Sequence, residues 1–133
     1  MLRRLEPMAV GWGGLIAAIG LLVGAERSTV PRLIILAFSF AFGGFLAGIR
    51  AEDLRPLHGI AAAIAAYIFY SLFVIVGHVV ALAGGPSAPE FMPGANRDWW
   101  IAAGVGAVAA FIGAGVAASW LRPQGEQRRR RAA

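Results

Sequence analysis

Four long stretches without a charged side chain decide what this sequence can fold into. They cover residues 8–25, 33–49, 57–85 and 99–121. All 12 arginines and all 7 acids fall between or beyond them. A helix needs about 20 apolar residues, within a range of about 17–25, to cross a bilayer. The first two stretches sit at the short end of that range, and the third exceeds it and is expected to tilt or protrude. Only 14% of the chain is charged, against about 25% in soluble domains. The predicted fold is all-α: an integral membrane bundle of four transmembrane helices with antiparallel, up-and-down topology. That domain covers residues 1–121, and residues 122–133 form a basic cytoplasmic tail.

The connections carry helix punctuation. Ser28 and Thr29 are placed to cap the second helix, with Pro31 in its first turn. Asp53 is placed to cap the third, with Pro56 just inside, and Asn96 or Asp98 the fourth. The segment from Gly84 to Asp98 holds Pro86, Pro89 and Pro93 and is expected to be irregular. The first two connections are short, so helices one and two, and two and three, should be neighbours.

Arginine placement sets the orientation. Arg3, Arg4, Arg50, Arg55, Arg122 and the run Arg128, Arg129, Arg130 and Arg131 fall on one side. Arg27, Arg32 and Arg97 fall on the other. The excess predicts a multi-pass protein of the cell membrane with both termini cytoplasmic. A competing reading makes the first stretch a signal peptide, with Arg3 and Arg4 before it and a small-residue site at Val23-Gly24-Ala25. Trp99, Trp100 and Trp120 bracket the fourth helix and read as membrane-interface anchors. The arginine run is expected to enforce topology and to touch anionic lipid, at about 1 kcal/mol per residue near the surface.

Small residues let helices approach closely in lipid. Gly20 and Gly24 are four apart on helix one, as are Gly44 and Gly48 on helix two. Helix four repeats Gly106, Ala110 and Ala114, with Gly113 alongside. These eight are the expected helix-packing residues. Helix four has enough small surface to suggest a second use, against another copy of the chain.

Chemistry is sparse. The chain has no cysteine, which excludes disulfides, thiolate catalysis and thiolate-bound metals. It has no lysine for a Schiff base. His58 and His78 lie 20 residues apart on one helix, roughly 30 Å at 1.5 Å per residue, too far to share a metal. His58 is expected at the start of that helix near Arg55, and His78 near the opposite interface. Ser39, Tyr67, Tyr70 and Ser71 are the polar groups in mid-helix and read as hydrogen-bonding partners between helices. No carboxylate lies in mid-membrane, which argues against proton-coupled export of the kind run by small four-helix multidrug transporters. The asparagine-bearing glycine motifs of four-helix fluoride channels are missing too. No nucleophile and base come together in the sequence, so no enzyme, cofactor or metal is expected. Nucleic acid is not an expected partner either, because the basic balance resides in the tail.

The stretch Gly43-Gly44-Phe45-Leu46-Ala47-Gly48-Ile49-Arg50, then a short turn, then Leu57-His58-Gly59, resembles the uncharacterised small four-helix bacterial membrane proteins of the YrzE type. The likeness covers about 30 residues of helices two and three. This chain differs in carrying Glu52, Asp53 and Pro56 in the turn. The resemblance implies four helices and no assigned activity. The expected function is a structural or accessory membrane protein working through helix packing, self-association or assembly into a larger membrane complex. The alternative is a small channel or transporter formed by an oligomer.

Overall fold

The computed structural model describes residues 6–51, 54–86 and 97–132, the last stretch with side chains as far as Leu121. The described residues form four helices: α1 (Pro7–Ala25), α2 (Thr29–Arg50), α3 (Arg55–Leu82) and α4 (Arg97–Ala132). Each is long and apolar enough to cross a membrane. Among the described residues, α2 and α3 touch each other and both remaining helices, whereas no contact joins α1 to α4. The bundle is therefore a rhombus in section, with α2 and α3 on its short diagonal. Its most extensive pairing is α2 with α4, which are not consecutive.

Burial follows helical periodicity, with mostly small residues inside and most of the large ones outside. The buried positions of α3 are His58, Gly59, Ala62, Ala63, Ala66, Tyr70 and Val74, spaced three and four apart. On α1 the buried row includes Ala9, Gly13, Gly14, Ala17, Ala18 and Leu21. Met8, Trp12, Leu15, Ile19 and Val23 run along its exposed face. Val30, Ile34, Phe38 and Phe42 do the same on α2.

The helix ends differ in part from the sequence expectation. α2 begins at Thr29 rather than 33, because Arg32 stays within the helix and folds back over the end of α1. Its Nε donates to the Gly24 carbonyl at 3.1 Å. Its Nη2 donates to the carbonyls of Ala25 at 3.3 Å and Arg27 at 2.7 Å. One guanidinium thus ties together three carbonyls at the end of α1 and in the turn after it, of which Gly24 also accepts the Arg27 amide at 3.0 Å. Ser28 is the N-cap residue of α2 but makes no side-chain capping bond.

α3 begins from Leu54, whose φ of 50° is left-handed. That conformation costs an L-residue roughly 1–2 kcal/mol. It turns the Leu54 carbonyl into an acceptor for the amides of Leu57 at 2.9 Å and His58 at 3.2 Å. Asp53, expected as the cap, lies outside the described residues, as do Asn96 and most of the proline-rich segment (87–96). α3 ends at Leu82 in a Schellman motif. Gly84 adopts φ +85°, its amide donates to Ala81, and the Gly85 amide donates to Val80. α4 starts at Arg97 with Asp98 in its first turn, and it runs on to Ala132 through the stretch read from sequence as a tail.

Candidate functional sites: a glycine crossing, a ring cluster and a histidine buckle

Three sites inside the bundle bring polar or closely approaching groups together. The first is the crossing where α2 and α3 meet α4. A Cβ placed on Gly44 would run into the backbone of Ala110, and one on Gly113 into the backbone of Ala41. A Cβ on Gly48 would lie 3.0 Å from both Ala114 Cα and Ala117 Cβ. Gly59, on α3, closes the same crossing, where an added Cβ would lie 2.5 Å from the Ala110 carbonyl oxygen. On the other flank, Gly13 of α1 faces Gly43, Ala47 and Ala62. Hydrogen is the only side chain that fits at Gly13, Gly44, Gly59 and Gly113 without a shift of backbone, whereas Gly48 is tight but less so.

The other expected packing residues are also buried, in different company. Gly20 lies against the Ser39 side chain, while Gly24 has ordinary contact with Arg32, whose Cγ would be 3.4 Å from an added Cβ. Gly106 leaves room for Tyr67 and Phe40. Ala110 and Ala114 are almost fully buried. The small face of α4 that suggested a second copy is thus occupied by α2 and α3.

The second site is a cluster of rings. Tyr67 tilts against Phe40 at 5.2 Å between centroids and meets Trp99 edge-on at 5.0 Å and 76°. Tyr70 stacks on Trp99 at 6.0 Å and 25°. Such arrangements match the preferred offset and edge-to-face geometries of aromatic pairs. The Tyr67 hydroxyl donates to the Ala102 carbonyl of α4 at 2.9 Å, which ties α3 to α4. Trp99 was expected at a membrane interface, but it is only 6% exposed and belongs to this cluster. Successive helical residues point about 100° apart, so Trp99 and Trp100 face different ways. The sequence held the signal: Trp99 stands three residues before Ala102 and seven before Gly106, on the buried stripe of α4. Trp100 and Trp120 are exposed, and Trp120 tilts against Phe45 at 6.2 Å.

The third site is His58, which is fully buried rather than merely near the start of α3. Its Nε2 accepts the backbone N–H of Glu6 at 2.9 Å. Its Nδ1 lies 3.2 Å from the Leu54 carbonyl. An amide can only donate and a carbonyl can only accept, so the ring is the neutral tautomer with hydrogen on Nδ1. The ring buckles the start of α1 to the start of α3. With both nitrogens engaged by backbone, neither is free to bind a metal or act as a general base. Its place at 58, in step with buried Ala62, Ala66 and Tyr70, was the sequence signal for burial. His78, by contrast, is exposed, with Nδ1 hydrogen-bonded to the Val74 carbonyl at 2.8 Å.

Among the described residues, no arginine or acid is buried, and no buried side-chain nitrogen or oxygen lacks a hydrogen-bond partner. Nor do three or more histidine or acidic residues there stand close enough to hold a metal. The side chains of Arg128 to Arg131 lie outside those described. Comparison with family models, curated proteins and solved structures finds no match to this chain.

Proposed function

We propose that the chain is a multi-pass protein of the cell membrane with both termini cytoplasmic. Its four helices run up and down, and its role is structural or accessory, through assembly with other membrane proteins or further copies of itself. The observation that carries this reading is the inversion of burial. Large apolar side chains cover the outer faces of the helices, while glycine and alanine make up most of the interior around a few large residues such as Leu36, Phe40 and Tyr70. Soluble monomers rarely expose apolar patches beyond a few hundred Å². In lipid that surface is solvated by acyl chains, and small residues inside supply the close contact that holds helices together. The nine-to-three division of arginines supports the orientation.

The interior favours a structural role over catalysis or conduction. His58 and Tyr67 bond to backbone, and no buried charge marks a path among the described residues. Because α4 uses its small face internally, assembly proceeds through the large-residue outer faces. The basic tail binds anionic lipid on the cytoplasmic side.

The absence of cysteine makes the topology directly testable. Single cysteines at Ser28 and at Gln127 are treated with a membrane-impermeant maleimide on intact cells. Labelling of Ser28→Cys alone is expected; labelling of Gln127→Cys overturns the orientation. Light scattering in nanodiscs is expected to report a protein mass above the 13.9 kDa of one chain. Flux of ions or solutes through the purified protein in liposomes would replace the structural reading with the oligomeric channel.

A further inference from the structure

α1 has a gap in its outer face at Gly11. A Cβ there would meet nothing within 4 Å. The gap opens into an outward-facing trough of about 230 Å³, lined by Met8, Trp12 and Leu15 of α1 and Phe69 of α3. All of these are apolar. Immediately beside it, the exposed Arg50 at the end of α2 holds its guanidinium carbon 5.8 Å from the centroid of the Trp12 ring. The same indole therefore lines the trough and carries a cation, at a distance typical of cation–π contact.

We infer that this trough seats one acyl chain of an anionic glycerophospholipid whose phosphate is held by Arg50. The inference rests on the membrane-spanning reading, under which Arg50 ends α2 at the headgroup level. Leu15 lies three residues beyond Trp12 along α1, about 4.5 Å deeper. Charge at the boundary and an apolar furrow leading inward match the order of phosphate and chain in a lipid. An arginine suits the phosphate because its planar fork offers two parallel N–H donors to two oxygens. The Trp12 ring orients that fork before a lipid arrives, so less freedom is lost on binding. A soluble anion would use the cation but leave the trough empty.

The test uses the full chain in nanodiscs of equal phosphatidylglycerol and phosphatidylcholine, with retained lipid read by native mass spectrometry. Flotation with vesicles of the same composition is scored first. The wild type is expected to retain phosphatidylglycerol over phosphatidylcholine by about fivefold, the worth of one arginine near an anionic surface. Arg50→Gln is expected to keep one bound lipid and lose the preference. Gly11→Leu fills the trough and is expected to lose the retained lipid of either type. Both positions are free of tight contacts, so unchanged melting temperatures are expected and serve as the folding control. Failure to float overturns the membrane reading and the lipid seat together. Floating without a headgroup preference, or with equal retention in all three proteins, overturns the seat alone.

Discussion

The glycine crossing and the ring cluster hold the same helices together by opposite means. At the crossing, Gly44 and Gly113 bring α2 and α4 into backbone contact, and the surface matched is that of the main chain itself. In the cluster, Phe40, Tyr67, Tyr70 and Trp99 fill the space between the helices with rings, and the Tyr67 hydroxyl pins α3 to α4. Gly106 stands at the border, small because two rings lean on it. Contact between backbones has no side chain that can rotate out of the way. Ring packing has several, and its hydrogen bond carries a modest net free energy. The crossing should therefore be brittle and the cluster tolerant.

The sharpest attempt to break that contrast is Gly44→Leu. The added side chain meets Ala110 backbone, and a loss of about 3 kcal/mol or more is expected, with Gly48→Leu at about 1–3 kcal/mol. Thermal melting of both in one detergent checks this. Wild-type melting of Gly44→Leu would show that α2 and α4 do not cross there.

Next comes His58→Ala, which leaves the Glu6 amide without its acceptor and opens a cavity. A destabilisation of about 2–3 kcal/mol is expected. Hydrogen exchange locates the effect: the Glu6 amide should lose protection while the ring cluster keeps its own. Uniform loss of protection would mean that the buckle and the cluster are one cooperative unit.

Tyr67→Phe tests the cluster itself. Ring packing persists and one hydrogen bond goes, so about 0.5–1.5 kcal/mol is expected. A loss matching Gly44→Leu would remove the distinction between the two regions.

The smallest effects are expected where the altered side chain meets ordinary contact or open space. Gly24→Ala meets only ordinary contact at Arg32, and Gly115→Leu faces open space. His78→Ala removes an exposed ring. Each should melt within about 0.5 kcal/mol of wild type. Gly20→Ala, in the same register as Gly24, is expected to cost more, about 1–3 kcal/mol, because the added methyl meets Ser39 Cβ as well as its hydroxyl and α2 must shift.

The four helices were legible because uncharged length alone marks such segments. Their ends were not, wherever a charge was taken as a boundary. Arg32 lies inside α2 because its long side chain reaches back to carbonyls of α1, a tertiary contact without a sequence signature. The pairing of α2 with α4 was equally hidden, since small residues announce close approach without naming the neighbour. Gly24 and Gly44 look alike in sequence, yet one touches a flexible side chain and the other a peptide backbone. His58 and Trp99 could have been placed. Both stand on buried stripes, but a polar or interfacial residue type outweighed its helical phase. The role of His58 still depended on the partner that folding supplied, a main-chain amide 52 residues away.

The Arg32 clasp bears on the order in which the molecule comes together. Only three residues, Glu26 to Ser28, separate α1 from α2, and the entropy lost in closing so short a loop is small. The clasp adds three bonds between residues five to eight apart. Short-range contacts of this kind form early, which makes α1 and α2 the first hairpin to assemble. The α2–α4 crossing joins segments separated by the whole of α3, so it must wait for the last helix. Replacing Arg32 should therefore slow the first step of assembly, while replacing Gly44 should arrest the last.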